Sequence, residues 1–247
     1  MSGKDRRRRL ARQRYERQLR RRVEKRQRAR RRNAVLASGV AVVLALGGVS
    51  YLGVRFVQQR AAANTVECTY TRESGEQAKY VGRPPAKLDS PSAYRATITT
   101  NRGQIVIDLP ARGAACTVNS FRFLAGKNFY DDTKCHRLTT EGIYVLQCGD
   151  PSGTGQGGPG YSFPDENLTG ATYPRGTVAM ANSGPNTNGS QFFVVYRKGK
   201  LEPKYTPFGT VVKGLDIVEK VAEEGTTDLG APRNDVIIKD IVVKGRT

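Results

Sequence analysis

From Tyr94 onward, apolar and polar positions alternate in short runs. "YRATITTNRGQIVIDL" reads as two strands joined at Asn101-Arg102-Gly103, a hairpin signal. In "TVNSFRFLAG", Val118, Phe121, Leu124 and Ala125 fall on one helical face, with Gly126 as the C-cap. Further short strands are predicted near 135–139, 144–147, 177–182, 191–196, 208–212 and 236–243. A second helix, "GLDIVEKVAEEG", sets Leu215, Val218 and Val221 at i, i+3 and i+6. Short strands with two helices predict a mainly β fold, a closed eight-stranded antiparallel barrel capped by the helices, because closure removes unpaired edges.

Upstream the pattern differs. Residues 1–33 carry 17 Lys/Arg against three acids, so +14 of the chain's net charge of +19 sits in this arm. The arm holds one Tyr and no interleaved aromatics, so base stacking has little to work with and nucleic acid is the disfavoured partner. A juxtamembrane polybasic helix attracted to anionic membrane lipid fits better. "NAVLASGVAVVLALGGVSYLGV", Asn33 to Val54, lacks any charge and is long enough to cross the ~30 Å hydrocarbon core. A signal peptide cleaved near Ala61-Ala62-Ala63 is the competing reading, but the preceding charged region is too long. The expected organisation is a basic cytoplasmic arm (1–33), a transmembrane helix (34–54), a polar linker or stalk (55–92) and a folded domain (93–247) outside the cytoplasm. Cys68 would staple part of the stalk to that domain. All four cysteines, Cys68, Cys116, Cys135 and Cys148, then lie outside, and an even count there implies two disulfides. With one His and no C-x-x-C, no metal site is expected.

Three stretches carry candidate chemistry. "GTGQGGPG" contains G-x-G-x-x-G at Gly153, Gly155 and Gly158, but Pro159-Gly160 forbids the helix that a dinucleotide site needs, so it reads as a surface loop. His136 lacks the orienting partner and free nucleophile of covalent catalysis and reads as a hydrogen-bonded core residue. Arg137, ten residues before Gln147, offers a non-titrating cation beside a neutral amide, suited to recognising a carbonyl rather than moving protons. "MANSGPNTNGSQFFVVY", Met180 to Tyr196, opposes them with Asn182, Gln191 and Phe193. Its polar stretch exceeds the two to five residues of a plain hairpin and reads as a rigid bracket.

Together with "CHRL", "LQCGDPSGTG", "GGPGYSFPDEN" and "YTPFGTVV", this motif resembles the cyclophilin family of peptidyl-prolyl isomerases over residues 93–247. The basic arm, single span and four-cysteine outer domain are similar to membrane-anchored cyclophilins of actinobacteria. The resemblance implies isomerisation of X–Pro bonds in proline-containing, exported polypeptides, with no cofactor. Arg137 would be the catalytic arginine, acting with Gln147, Asn182 and Phe193. Tyr144, Val145, Gly153, Ala181, Ser183, Gln191, Leu201 and Tyr205 would contact substrate, with Gly153 edging a secondary pocket. The turn before Gln147 is longer than usual, so Ile143 could take the place of Tyr144. If Arg137 and Gln147 share a face, strand alternation puts Cys135 and Cys148 on opposite faces and favours 116–135 with 68–148. The alternative function is a non-catalytic proline-binding or chaperone module tethered to the envelope.

Overall fold

The computed structural model of the protein describes Lys25 and residues 65–246, apart from 76–77, 90–91 and 111. The basic arm and the 34–54 span lie outside the described residues, Lys25 excepted. No helix among the described residues is long and apolar enough to cross a membrane.

The hairpin forms as its pattern predicts. β4 (Tyr94–Thr100) and β5 (Gly103–Leu109) pair in register from Tyr94↔Leu109 to Thr100↔Gly103, leaving Asn101-Arg102 as the turn. Gly103 has φ +130, and a Cβ there would sit 2.7 Å from the Ile217 side chain, so the turn and the second helix require glycine. Three strands precede this hairpin: β1 (Thr65–Glu67), β2 (Thr71–Arg72) and β3 (Lys87–Asp89). After it come α1 (Ala115–Ala125), β6 (Thr133–Lys134), β7 (Arg137–Leu138), β8 (Val145–Cys148), β9 (Tyr161–Ser162) and β10 (Thr177–Met180). β11 (Phe192–Val195), β12 (Pro207–Lys213), α2 (Leu215–Glu223) and β13 (Ile237–Gly245) complete the domain.

The main sheet has nine antiparallel strands in the order β6-β13-β4-β5-β12-β10-β11-β8-β7. This replaces the expected closed eight-stranded barrel. The added strand is β6, and the two edge strands, β6 and β7, are consecutive in the chain with only Cys135-His136 between them. The sheet must therefore curl until its edges approach, yet no ladder joins them among the described residues.

α1 packs its buried face into the main core. Its Phe121 ring meets Tyr130, Phe192 and Phe208 at centroid separations of 5.4–5.5 Å. The helix has no capping side chain of its own. Instead the Glu166 carboxylate accepts from the Cys116 and Thr117 backbone N–H groups at 3.1 and 2.8 Å, placing negative charge at the positive helix end. Gly126 does close the helix, in a right-handed rather than left-handed conformation. On α2, Val218 and Val221 are buried and Leu215 is half-buried.

Two expectations change here. Described residues ahead of 93 belong to the folded unit, because Cys68 and Tyr70 enter the core and Val66 packs against it. The disulfides are Cys68–Cys116 and Cys135–Cys148, not 116–135 with 68–148. Alternation cannot be counted back from Arg137 to Cys135, because the strand begins at Arg137. Cys135 already follows the other sheet edge, its N–H donating to the Val236 carbonyl at 2.9 Å.

Replacing Cys68 and Cys116 by Ser is expected to lower unfolding stability by about 2–4 kcal/mol, since the bridge closes a long loop. Denaturant titration of the two forms checks this, with an unchanged midpoint as the contrary result.

Candidate active site

Four adjacent strands set the site. The ladder pairs Arg137 with Gln147, Gln147 with Phe193, and Phe193 with Ala179. These four residues therefore form one row across β7, β8, β11 and β10, with side chains on the same face and strands ~4.8 Å apart. The next row, Leu138, Leu146, Val194 and Val178, points the other way into the main core.

Both faces are apolar where the row passes. Phe192 and Val194 belong to the main core, whereas Phe193 and Val195 join a second cluster with Val145, Tyr173 and Ala179. Ile143, Ala181, Leu201 and Tyr205 pack against that cluster and are half-buried. The Tyr205 ring stands edge-on to Phe193, with centroids 5.3 Å apart and planes at 87°. Tyr173 Oη holds this strand in place, donating to the Tyr205 carbonyl at 2.7 Å and accepting from its N–H at 3.1 Å. The result is a buried apolar cluster with a half-buried rim, beside an exposed cation.

That cation is Arg137. Its Nη1 donates to Gln147 Oε1 at 3.4 Å, and Gln147 Nε2 donates to Gln191 Oε1 at 2.8 Å. Gln191 Nε2 then donates to the Gly155 and Gly157 carbonyls at 3.0 and 2.9 Å. The Gly-rich loop is thus the anchor of a relay that ends on the guanidinium, not an idle surface turn.

The loop is itself organised by Asp150, which is fully buried. Its carboxylate accepts from Ser152 N at 2.7 Å, from Ser152 Oγ at 2.8 Å and from the Gly155 N–H. Burial raises its pKa, but the hydrogen bonds from Ser152, Gly157 and Gly155 outweigh this and hold the carboxyl below its ordinary value. Just beyond the strand, Gly149 has φ +89 and a Cβ there would collide with the Ser190 carbonyl, so no side chain fits where β8 meets the bracket. Asp150 is not among the residues singled out from the sequence, although Asp-x-Ser before glycines is a recognisable turn signal.

The bracket 183–190 is braced from outside. Asp165 accepts from Asn186 N and Asn188 Nδ2, each at 2.8 Å, and Phe163 bridges Asn188. Within it, Ser183 N donates to Thr187 Oγ1 at 2.9 Å, and Asn182 Nδ2 donates to the Lys204 carbonyl at 2.8 Å. Ala181, Asn182 and Ser183 thereby line a groove of about 580 Å³ that also reaches Gln147 and Gln191.

Most predicted site residues come together: Arg137, Gln147 and Gln191 in the relay, Val145, Phe193, Ala181, Leu201 and Tyr205 at the floor, Asn182 and Ser183 on the wall. Two do not. Tyr144 turns to the opposite face, against Tyr196 at 6.0 Å and beneath Arg197, and Ile143 takes its place, as alternation from Val145 requires. Gly153 stands off the groove, which is lined by Gly155, Gly157 and Gly158 instead. His136 is half-buried, and neither ring nitrogen meets a hydrogen-bond partner, contrary to expectation. Burial lowers its pKa and the Arg137 charge beside it acts in the same direction, while the Asp150 carboxylate opposes.

Cyclophilins are the class that this fold and site define. The profile described as "Cyclophilin type peptidyl-prolyl cis-trans isomerase/CLD" matches residues 95–243, and the chain belongs to that family. "Probable peptidyl-prolyl cis-trans isomerase B" of Mycobacterium leprae is 45% identical over 195 residues, covering 71% of this chain and 66% of its own length. The protein of that name from Mycobacterium tuberculosis is 45% identical over 170 residues, covering 62% of this chain and 55% of its own. The chain thus spans between about half and two thirds of these relatives. Among solved structures, a Cryptosporidium parvum cyclophilin-type isomerase aligns with TM-score 0.58 and 32% identity, covering 63% of this chain and 99% of its own. The same protein crystallised in the presence of the dipeptide Ala-Pro aligns with TM-score 0.57, also at 32% identity, covering 62% and 99%.

Replacing Asp150 by Asn is expected to lower kcat/KM for a proline peptide about tenfold, or ~1.4 kcal/mol of transition-state stabilisation, by loosening the relay onto Arg137. A carboxyl with a depressed pKa stabilises the fold fully above its unfolded value of about 3.9 and stops doing so as pH falls through its folded value. The stability gap between parent and variant should therefore be full at neutral pH and close in acid. A gap independent of pH would contradict this role.

Proposed function

We propose that this chain is a peptidyl-prolyl cis-trans isomerase that acts outside the cytoplasm on X–Pro bonds of exported polypeptides. The observation that carries the reading is the row Arg137–Gln147–Phe193, which sets a non-titrating cation beside an apolar floor. Resonance makes X–Pro rotation slow, on the order of tens to hundreds of seconds uncatalysed. In the twisted state resonance is lost and the nitrogen gains a lone pair, so no covalent step is needed. The site has only to bind that state more tightly than either planar isomer.

Phe193, Val145 and Leu201 would grip the proline ring, and Ile143 would extend that grip. The backbone of Ala181–Ser183 would hold the preceding residue, with Gln191 beside it. The Arg137 guanidinium would then donate to the proline carbonyl and the developing lone pair, and the Gln147–Gln191 relay would keep it aimed. An isomerase is favoured over a non-catalytic binding module because this relay spends four hydrogen bonds on orienting one cation. A plain proline-binding surface would have no use for it.

The location reading rests on the uncharged stretch 34–54 behind a basic arm, and on two disulfides in the folded unit. In it, residues 1–33 stay in the cytoplasm against anionic lipid and residues from Ala63 onward lie outside. Bulk solvent must reach the domain from that side, so protease added to intact cells should cleave it; complete protection would contradict the location alone.

Exchange between cis and trans forms of a proline peptide, followed by NMR with the full-length chain in detergent, tests the activity. Replacing Arg137 by Ala is expected to lower kcat/KM about 10²-fold, the size of losing one preorganised donor to a developing charge. A variant as fast as its parent would overturn the mechanism.

A further inference from the structure

Residues 65–89 precede the span matched by the family profile, yet they build part of the site. The Cys68–Cys116 bridge ties them to α1. Tyr70 is buried, its Oη donating to the Cys116 carbonyl at 2.8 Å and accepting from Asn119 Nδ2 at 3.0 Å. From this anchor β2 pairs antiparallel with β9. Glu73 N then donates to the Gly160 carbonyl and Lys79 N to the Gly158 carbonyl, both at 3.0 Å. A Cβ on Gly160 would meet the Tyr80 side chain at 3.0 Å, so the segment lies close against the Gly-rich loop. Arg72 lies over the Tyr80 ring, 4.8 Å from its centroid.

This path makes Glu73, Ser74, Gly75 and Ala78 one wall of the groove whose opposite wall carries Gln191 and Asn182. Among the described residues lining the groove, Glu73 alone is charged at neutral pH. Its side chain is exposed and lies in a groove otherwise lined by uncharged residues. A peptide whose proline sits on Phe193, and whose preceding residue runs along Ala181–Ser183 towards Gln191, delivers its earlier side chains into this groove. We propose that Glu73 makes the groove charge-selective, so that the enzyme favours X–Pro bonds preceded by Lys or Arg over those preceded by acidic residues. This rests on the isomerase reading above, and adds to it a class of substrate and the residue that selects it. The extension thus acts as a specificity element grafted beside the isomerase core.

Its test uses the full-length chain in detergent and three peptides that differ only in the two residues ahead of the X in an X–Pro bond: Lys-Lys, Glu-Glu or Ala-Ala. Isomerisation of each is measured by NMR exchange for the parent, Glu73→Gln and Glu73→Lys. Each rate is divided by that of the alanine peptide with the same protein, so a general loss of fold or activity cancels. The parent should favour the Lys peptide over the Glu peptide about two- to five-fold, the size of an exposed ion pair, and less so in high salt. Glu73→Gln should bring the ratio near one, and Glu73→Lys should invert it. A parent without preference, or a preference that survives in Glu73→Gln, overturns the assignment to Glu73. No exchange on the alanine peptide by the parent overturns the isomerase reading itself, and the selectivity with it.

Discussion

The register between β8 and its two neighbours is the constraint on which the site depends. Pairing Gln147 with both Arg137 and Phe193 fixes, in one row, the amide, the cation and the ring. A one-residue slip of β7 on β8 would turn Arg137 away from the row, and the same slip of β11 would send Phe193 into the main core. That slip is opposed from both sides, because Phe192 and Val194 already fill the core while Phe193 and Val195 already fill the second cluster. A strand buried on both faces has no solvent side to trade. The geometry of the site is therefore a by-product of sheet packing, and its precision costs no special backbone.

What packing cannot supply is the aim of a long exposed side chain. Arginine carries considerable rotamer entropy, and a guanidinium in open solvent would sample many directions. Here the restraint arrives through neutral amides, ending on a loop whose own shape is set by a buried carboxylate. Loops usually hold function because they are free to vary, but this one holds it by being tied down. The same logic extends to the bracket, whose turn residues are pinned from outside by Asp165. The residues before β4 continue it further, fastened by a disulfide and lying along the groove.

Much of this was legible in the chain. The hairpin at 101–103, both helices and the strands carrying Arg137, Gln147 and Phe193 follow from periodicity and turn chemistry. The run Phe192-Phe193-Val194-Val195 is apolar on both faces, which by itself points to a second cluster outside the core. The departures share a cause: period two holds only within a strand. It does not reach from Arg137 back to Cys135, where the chain has already crossed to the opposite sheet edge. It does separate Tyr144 from Val145, because neighbouring residues face opposite ways. In "TVECTY" the alternation of Val66, Cys68 and Tyr70 is a signal of folded chain within the stretch expected to be stalk. Asp150 is legible only as a turn former, in Asp-Pro-Ser before glycines; that this turn anchors the relay depends on loop backbone groups, which no side-chain pattern encodes.

The central claim is that Arg137 and Gln147 act as one unit, which a double-mutant cycle on kcat/KM measures directly. With Arg137→Ala, Gln147→Ala and the double variant, the account predicts strong non-additivity. The second substitution should add little once the first is made, giving a coupling of about 1 kcal/mol or more. Effects that simply add would mean that the amide does not orient the guanidinium, and the account of the site would be wrong at its base.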